Sequence, residues 1–299
     1  MRVAVTGAAG YLGRALVAAL DDVVAIDLRP PPAADGVRPV TRDVRDPELA
    51  AELEGADALV HLAYVVLGRG ANAQSVNVEG SRNVFEAAAR AGVGTIVHAS
   101  SAAAYGCAPD NPVPLSEDAP LRPLPAFYYP QTKVAVERVL DAFEAAHPQV
   151  RVARLRPIAV LGPGAPAFLG GRAFVTLSDF DPLMQFVALG DFVELVKRVL
   201  SEPVGGAFNV GGPEPVRAST VARLMGVRSA RAPHRVLRAA ARVGAALRLP
   251  GTMHPGWVDM ARYPIVVSTE RAERELGWRA SSDSAEVLRR FGAHLKEAA

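Results

Sequence analysis

A single cysteine, Cys107, is the only thiol in this 299-residue chain, so an internal disulfide is excluded. That scarcity suits a reducing compartment, and a cytoplasmic location is expected. Lysine is nearly as rare: arginine supplies most of the 33 cationic side chains, and Lys133, Lys197 and Lys296 are the only lysines. Formal net charge is +2, with no basic run and no basic patch interleaved with aromatics, so nucleic acid is not expected as a partner. No apolar stretch reaches the ~20 residues of a membrane-spanning helix. An apolar strand that starts almost at the first residue leaves no room for a secretory leader, so none is expected. No metal site is expected either. Against these absences stands an apolar fraction of 50%, enough for an extensive core.

The rarity of lysine gives weight to Lys133, which follows Tyr129 by four residues. Residues at i and i+4 share one face of a helix. An ammonium beside a phenol favours the phenolate, so Tyr129 is expected to exchange a proton near neutral pH, where a free tyrosine with pKa near ~10 would be poor. An incidental surface pair is the competing reading. Tyr128 is a rival, but only Tyr129 has the four-residue offset.

The N-terminal segment favours the catalytic reading. Val3 to Val5 form an apolar run, Gly7, Gly10 and Gly13 follow at three-residue spacing, and helical periodicity continues from Arg14. Glycines at these places allow a tight turn, close approach to a diphosphate, and packing of helix on sheet, with free N–H groups at the helix start. A second apolar run, Val23 to Ile26, ends in Asp27, 20 residues past Gly7, where a carboxylate can hold the adenosine ribose hydroxyls. Its charge would repel a 2′-phosphate, so NAD is expected over NADP, with Arg29 softening the preference.

Strand and helix patterns alternate along the chain. Strands are expected at 37–41, 58–61, 95–99 and 150–155, and helices at 47–54, 72–91 and 130–146. The implied fold class is α/β, a Rossmann-type doubly wound parallel sheet with a small C-terminal α/β substrate lobe. The expected division gives 1–160 plus about 182–203 to the dinucleotide-binding domain, and about 161–181 and 204–299 to the lobe. Residues 108–125 are long for a connector and are expected to shape the mouth of the active site. Later elements are a helix over 191–200, a strand over 207–210 and a helix over 219–225. His234 to Leu249 read as an amphipathic helix with Arg235, Arg238, Arg242 and Arg248 on one side. A core-packing helix is expected there; the alternative is a cover for a lipophilic substrate or a membrane-surface contact. Cys107 is read as a buried or loop cysteine, with an extra proton donor as the alternative.

In order, these motifs resemble the extended short-chain dehydrogenase/reductases of the NAD-dependent epimerase/dehydratase group. The segment TGAAGYLG at 6–13 matches its phosphate loop, which brings in Tyr11 and Leu12 with the three glycines. Asp43-Val44 is similar to the pair at the adenine, and His61-Leu62-Ala63-Tyr64 to the segment lining the cofactor. Asn77-Val-Glu-Gly80 with Asn83 resembles the helix whose first Asn supports the active-site backbone. Ser100 and Ser101, with Tyr105-Gly106, are similar to the strand-end serine motif. Arg156-Pro157, Phe208-Asn209-Val210-Gly211-Gly212 and Leu276-Gly277-Trp278 follow in order. The resemblance implies Ser101, Tyr129 and Lys133 as catalytic residues. It implies Gly7, Gly10, Tyr11, Leu12, Gly13, Asp27, Asp43, Val44, Leu62, Ala63, Asn77, Ser100 and Lys133 at the cofactor.

Departures narrow the reaction. The acid pair of the group's dehydratases is Ala102-Ala103 here, which disfavours dehydration. The usual diphosphate arginine is missing before Leu276-Gly277-Trp278; Arg262 or Arg217 would have to substitute. The expectation is an NAD-dependent oxidoreductase/epimerase, of the epimerase type that oxidises and re-reduces a carbon while keeping its cofactor, with hydride transfer at a secondary alcohol or ketone carbon of a sugar-like, possibly nucleotide-sugar, substrate. The alternatives are a hydroxysteroid-dehydrogenase-like enzyme of a lipophilic or small ketone, and a non-catalytic dinucleotide sensor. A homodimer through the helices at 72–91 and 130–146 is expected, as in many relatives of this group.

Overall fold

The computed structural model describes residues 1–31, 33–67, 71–125, 127–166, 173–247, 249 and 252–297. The short apolar runs become strands β1 (Val3–Thr6), β2 (Val23–Asp27), β3 (Val37–Thr41), β4 (Ala58–His61), β5 (Thr95–Ala99) and β6 (Arg151–Pro157). Beyond them lie β7 (Ala159–Leu161), β8 (Ala173–Leu177), β9 (Leu183–Met184), β10 (Phe186–Ala188), β11 (Gly206–Val210), β12 (Val216–Arg217) and β13 (Arg228–Ala232). Seven of these form one parallel sheet in the order β3-β2-β1-β4-β5-β6-β11. The chain builds outward from β1 in one direction, then returns to β4 and builds in the other. The β1/β4 junction is therefore the switch point where open α/β sheets collect ligands at their strand C-termini.

Alternation within the strands explains both layers. Val3, Val5, Val23, Ala25, Val60 and Val97 face one side, under helices α1 (Tyr11–Val17) and, further along, α6 (Leu189–Ser201). Ala4, Val24, Ile26, Leu59, Ile96 and Val152 face the other. That side is covered by α4 (Gly80–Arg90), with Val84 and Phe85, and by α5 (Tyr128–Ala146), with Val136, Leu140 and Phe143. Strands buried on both faces need apolar residues at every position, which is why they read as runs.

Between the short α2 (Leu49–Glu52) and α4, the helix expected over 72–91 is broken. α3 (Ala71–Gln74) passes into a π-helical turn at Ser75–Glu79 before α4 begins. The expected division of the chain also needs correcting. β11 lies within the segment assigned to the lobe, yet it pairs with β6 as the seventh strand of the main sheet. α10 (Glu270–Leu276) joins it: Ala272, Leu276 and Trp278 pack into the main core beside Phe208. A second apolar cluster is built separately by Val221 and Met225 of α7 (Ala218–Met225) with Val287, Leu288 and Phe291 of α11 (Ser284–Glu297).

The segment 108–125 does not line the cleft at the switch point. Its Leu115 bridges to Val267 and packs beneath Tyr105, so it acts as a buttress behind the site. The helix expected over 234–249 runs over His234–Ala246 as α8 and is followed by α9 (Pro255–Met260). Its core-packing expectation fails: Val236, Val243 and Leu247 are exposed, and only Gly244 is buried, against Thr252. Arg248 lies outside the described residues.

Close packing at the glycine turn is testable. A Cβ at Gly13 would lie 2.1 Å from the Gly7 carbonyl oxygen, a backbone atom that cannot step aside. Gly13→Ala is expected to lower stability by about 1–3 kcal/mol, an overpacking cost. An unchanged thermal melt of that variant would sink this account of the turn.

Candidate active site

α5 presents Tyr129, Lys133 and Glu137 at successive four-residue steps, so one helical face carries all three. Lys133 is buried, and its Nζ donates to the Ala99 carbonyl at 2.7 Å while standing 3.5 Å above the centre of the Tyr64 ring. Burial pushes this ammonium down to about 7, with Glu137 pulling the other way. Tyr129 departs from expectation. Burial raises its phenol above the ordinary value, and a hydrogen bond with Ser101 lowers it only in part. The i,i+4 spacing puts Lys133 on the right face, but its charge is directed at the Ala99 carbonyl and the Tyr64 ring. In this state Tyr129 holds its proton at neutral pH.

Aromatic rings fix the phenol. Tyr64 meets Tyr129 edge-on at 5.8 Å between ring centres, and Trp257 of α9 lies at 5.1 Å. Phe127 stacks on His254 at 5.0 Å and meets Trp257 at 5.1 Å. Tyr64 is itself anchored by a short hydrogen bond to the Thr132 hydroxyl. Tyr128, the rival in sequence, turns away and donates to the Val66 carbonyl. Tyr64 is marked in the sequence only as the end of the cofactor-lining segment; Phe127 and Trp257 carry no sequence signal of their own, and only their neighbourhood in space marks them.

Behind the site lies a buried polar network. Ser100 Oγ donates to Glu137 Oε1 at 2.6 Å, and Arg156 of β6 grips the same carboxylate at 2.9 and 2.6 Å. Arg156 also reaches the Tyr105 hydroxyl at 2.8 Å, and Tyr105 donates to Asn209 Oδ1 of β11 at 2.8 Å. This gives a structural reason for the Arg156-Pro157 and Phe208-Asn209 motifs. Trp278 has a similar one: its indole N–H donates to the Asp191 carbonyl at 3.1 Å, tying the end of α10 to α6.

The cleft of about 560 Å³ at the switch point gathers Gly7, Gly10, Tyr11, Leu12, Gly13, Leu62, Ser100, Ser101, Tyr129 and Lys133. Asp27, Asp43, Val44, Ala63 and Asn77 are not part of this lining, and each makes contacts of its own. Asp27 accepts from the Ala9 N–H at 3.0 Å and the Arg29 N–H at 3.1 Å. Arg14 and Arg29 both donate to the Ala9 carbonyl, at 3.0 and 3.2 Å. Asp43 is engaged by Arg45 at 2.6 Å, which holds its carboxyl below the usual range. Asn83 caps the Val44 and Asp46 carbonyls, both at 2.8 Å. Asn77, in the π-helical turn, accepts from the Val65 N–H at 2.8 Å and donates to the Val65 carbonyl at 3.1 Å. A Cβ at Gly7 would come within 2.6 Å of the Ala63 nitrogen, so the backbone here is kept bare.

The rest of the lining is mostly apolar: Val160, Phe174, Leu177, Phe180, Leu183 and Met184, with Trp257 and Met260 from α9, interrupted by the polar Thr176 and Gln185. Among the described residues, Lys133 is the sole cation lining the cleft. Arg217 instead donates to the Asp181 carbonyl, and Arg262 stacks 5.0 Å from Phe180 and 5.1 Å from Tyr263. Cys107 is buried outside the cleft, donating to the Asp259 carbonyl at 3.1 Å; burial pushes its thiol up to about 11. It is a structural cysteine.

The depressed Lys133 has a consequence for stability with a definite sign. Between about 7 and the unfolded value of 10.5, the unfolded chain binds a proton that the folded chain lacks, so stability rises with pH across that window. Lys133→Met should be at least as stable as the parent at pH 7 and lose that rise. Thermal melts at both ends of the window measure it, and an identical slope in the variant would remove the argument.

A sequence profile of the NAD dependent epimerase/dehydratase family matches residues 3–211. UDP-glucose 4-epimerase of Mycolicibacterium smegmatis is 31% identical over 247 residues, 71% of this chain and 77% of that protein. Sterol demethylase protein B of Methylococcus capsulatus is 33% identical over 220 residues, 63% of this chain and 64% of that protein. Uncharacterized mycobacterial proteins also match, and the chain spans 65% of their length. The solved structure of MoeE5 in complex with UDP-glucuronic acid and NAD superimposes with a TM-score of 0.81 at 27% identity, covering 100% of both chains. With the glycine turn, the strand-end serines and the tyrosine–lysine helix found in one cleft, this chain belongs to the NAD-dependent epimerase/dehydratase family.

Proposed function

We propose that this chain is an NAD-dependent oxidoreductase acting on a secondary alcohol or ketone carried by a predominantly apolar molecule. The observation that carries the substrate class is the cleft lining: Phe174, Leu177, Phe180, Leu183 and Met184 line the same cleft as Tyr129, and no described guanidinium is part of that lining. A diphosphate seated against these side chains would exchange water for apolar neighbours, which is costly.

The residues present fit NAD. Gly7, Gly10 and Gly13 would leave room for the diphosphate, Asp27 would take the ribose hydroxyls, and Leu62 and Ala63 would lie along the cofactor. When bound, NAD exchanges a hydride with the substrate carbon. The chain's own part is to place and move one proton. Ser101 orients the substrate oxygen, and Tyr129 transfers its phenolic proton to that oxygen as negative charge develops there. Lys133, fixed by the Ala99 carbonyl, steadies the phenolate that remains.

A second reading, epimerisation of a nucleotide sugar, is favoured by the likeness to UDP-glucose 4-epimerase and to MoeE5. Ala102 and Ala103 argue against dehydration in either case, because neither can move a proton. The domain division, corrected for β11 and α10, and a homodimer through α4 and α5 are part of this proposal. Light scattering tests the dimer.

Tyr129→Phe is expected to reduce kcat by at least about a hundredfold, the usual loss with a general acid, while leaving NAD affinity nearly unchanged. Unchanged turnover would sink the mechanism, and a chain that binds NAD yet turns over no substrate would be a dinucleotide sensor. For the substrate class, purified protein is desalted, denatured and assayed for released dinucleotide, then tested on lipophilic ketones and on UDP-sugars. An enzyme that exchanges NAD freely and reduces lipophilic ketones is the expected outcome. Stoichiometric retained NAD with turnover of a UDP-sugar would overturn it in favour of the epimerase.

A further inference from the structure

α8 has three faces. Leu237, Ala241, Gly244 and Ala245 turn inward, and Gly244 is pressed against Thr252. Arg235, Arg238 and Arg242, spaced three and four residues apart, line a groove of about 880 Å³ shared with Leu124, Pro125 and Phe127. Val236, Val243 and Leu247 form the third face, which meets the groove at Val243, and it is bare: they are 56%, 58% and 65% exposed. Leu249 (52%) and Met253 (38%), which follow the helix in sequence, are exposed as well. Five of the ten large apolar side chains exposed among the described residues therefore fall within residues 236–253. Scattered exposed apolar residues need no explanation, but such a concentration in one segment does.

Charge on this surface is one-sided. α8 contains no acid. Asp259, the one carboxylate lining the groove, is already bound by Arg238 at 2.8 and 2.9 Å and by His234 at 2.8 Å. No acidic partner of Arg235 or Arg242 is found among the described residues. Arg262 and His254 add further cationic or protonatable groups to the same groove.

We propose that α8 and the segment after it dock the protein on the surface of an anionic lipid bilayer. Arg235 and Arg242 meet lipid phosphates, while Val243, Leu247, Leu249 and Met253 enter the boundary between headgroups and acyl chains. A soluble polyanion would satisfy the arginines but leave the apolar strip wet. A second copy would satisfy the strip, yet a twofold contact brings the same arginines face to face. An anionic bilayer is complementary to both. Beneath the surface, α9 connects it to the cleft: Asp259 holds Arg238 on one side, and Trp257 and Met260 line the cleft on the other. The surface goes beyond the substrate reading and does not depend on it, although an apolar substrate delivered from a bilayer would enter beside α9.

The test is co-sedimentation of the full chain with vesicles of phosphatidylcholine, with and without phosphatidylglycerol. Binding to the phosphatidylglycerol vesicles that weakens with added salt is expected. Arg235→Glu with Arg242→Glu, and separately Leu247→Asp with Leu249→Asp, should each weaken it by roughly tenfold or more. Unchanged circular-dichroism melts check that both pairs fold. No vesicle binding, or binding untouched by both pairs, overturns the proposal. So does inorganic pyrophosphate affinity lost in the arginine pair while the parent chain ignores vesicles, which marks a soluble-anion groove. Concentration-dependent dimerisation abolished by the leucine pair also overturns it, by making a second copy the occupant. None of these readouts requires turnover, so failure here is separable from failure of the substrate reading.

Discussion

The buried ion pair between Glu137 and Arg156 is the constraint from which the rest of the site hangs. Glu137 lies one helical step beyond Lys133 and two beyond Tyr129, so fixing its carboxylate fixes the rotation of α5 about its own axis. Arg156 comes from β6, Ser100 from the end of β5, and Tyr105 links onward to Asn209 of β11. Two strand ends and α5 thus meet at one carboxylate, and β11 is tied to it through Tyr105 and Arg156. Removing one partner from such a buried pair typically costs about 3–5 kcal/mol, because the other charge is left unpaired. Burial at this depth favours one arrangement over many near alternatives.

The same burial sets the chemistry. It raises Tyr129 and lowers Lys133, so both groups are pushed toward their neutral forms. A phenol that keeps its proton and an amine that loses one easily would serve the proposed proton donation to the substrate oxygen. The aromatic enclosure of Tyr64, Phe127 and Trp257 produces this dry setting, and two of those rings come from segments adjoining α5 and α9 rather than from the sheet.

Much of this frame was legible in the sequence. β1, β2, β4 and β5 were readable because strands covered on both sides must be apolar at each position, and Gly7 and Asp27 mark their ends. Tyr129 and Lys133 were readable because their spacing equals the helical repeat. What escaped depends on partners distant in the chain. Glu137 is an ordinary charged residue until the fold sets it against Arg156, which the sequence marks only by its Arg-Pro motif, and β13, with Arg228 and Arg231, gives no strand signal until β8 pairs with it. The direction of the Tyr129 shift was misread because a sequence shows a neighbouring lysine but not the depth of burial. α8 was misread for a related reason: periodicity tells which side chains share a face, not whether anything covers that face.

The π-helical turn at Ser75–Glu79 carries one residue more than an α-helical path of the same span would need. That surplus residue sets the phase of everything after it. Shortened by one, the segment would be more regular, yet Asn77 would swing about 100° around the axis and lose both groups of Val65. The backbone irregularity is therefore a phase adjuster. It lets one helix face the sheet with Val84 and Phe85 while its first turns, out of step with them, brace the strand-end loop that carries Tyr64 to the lysine.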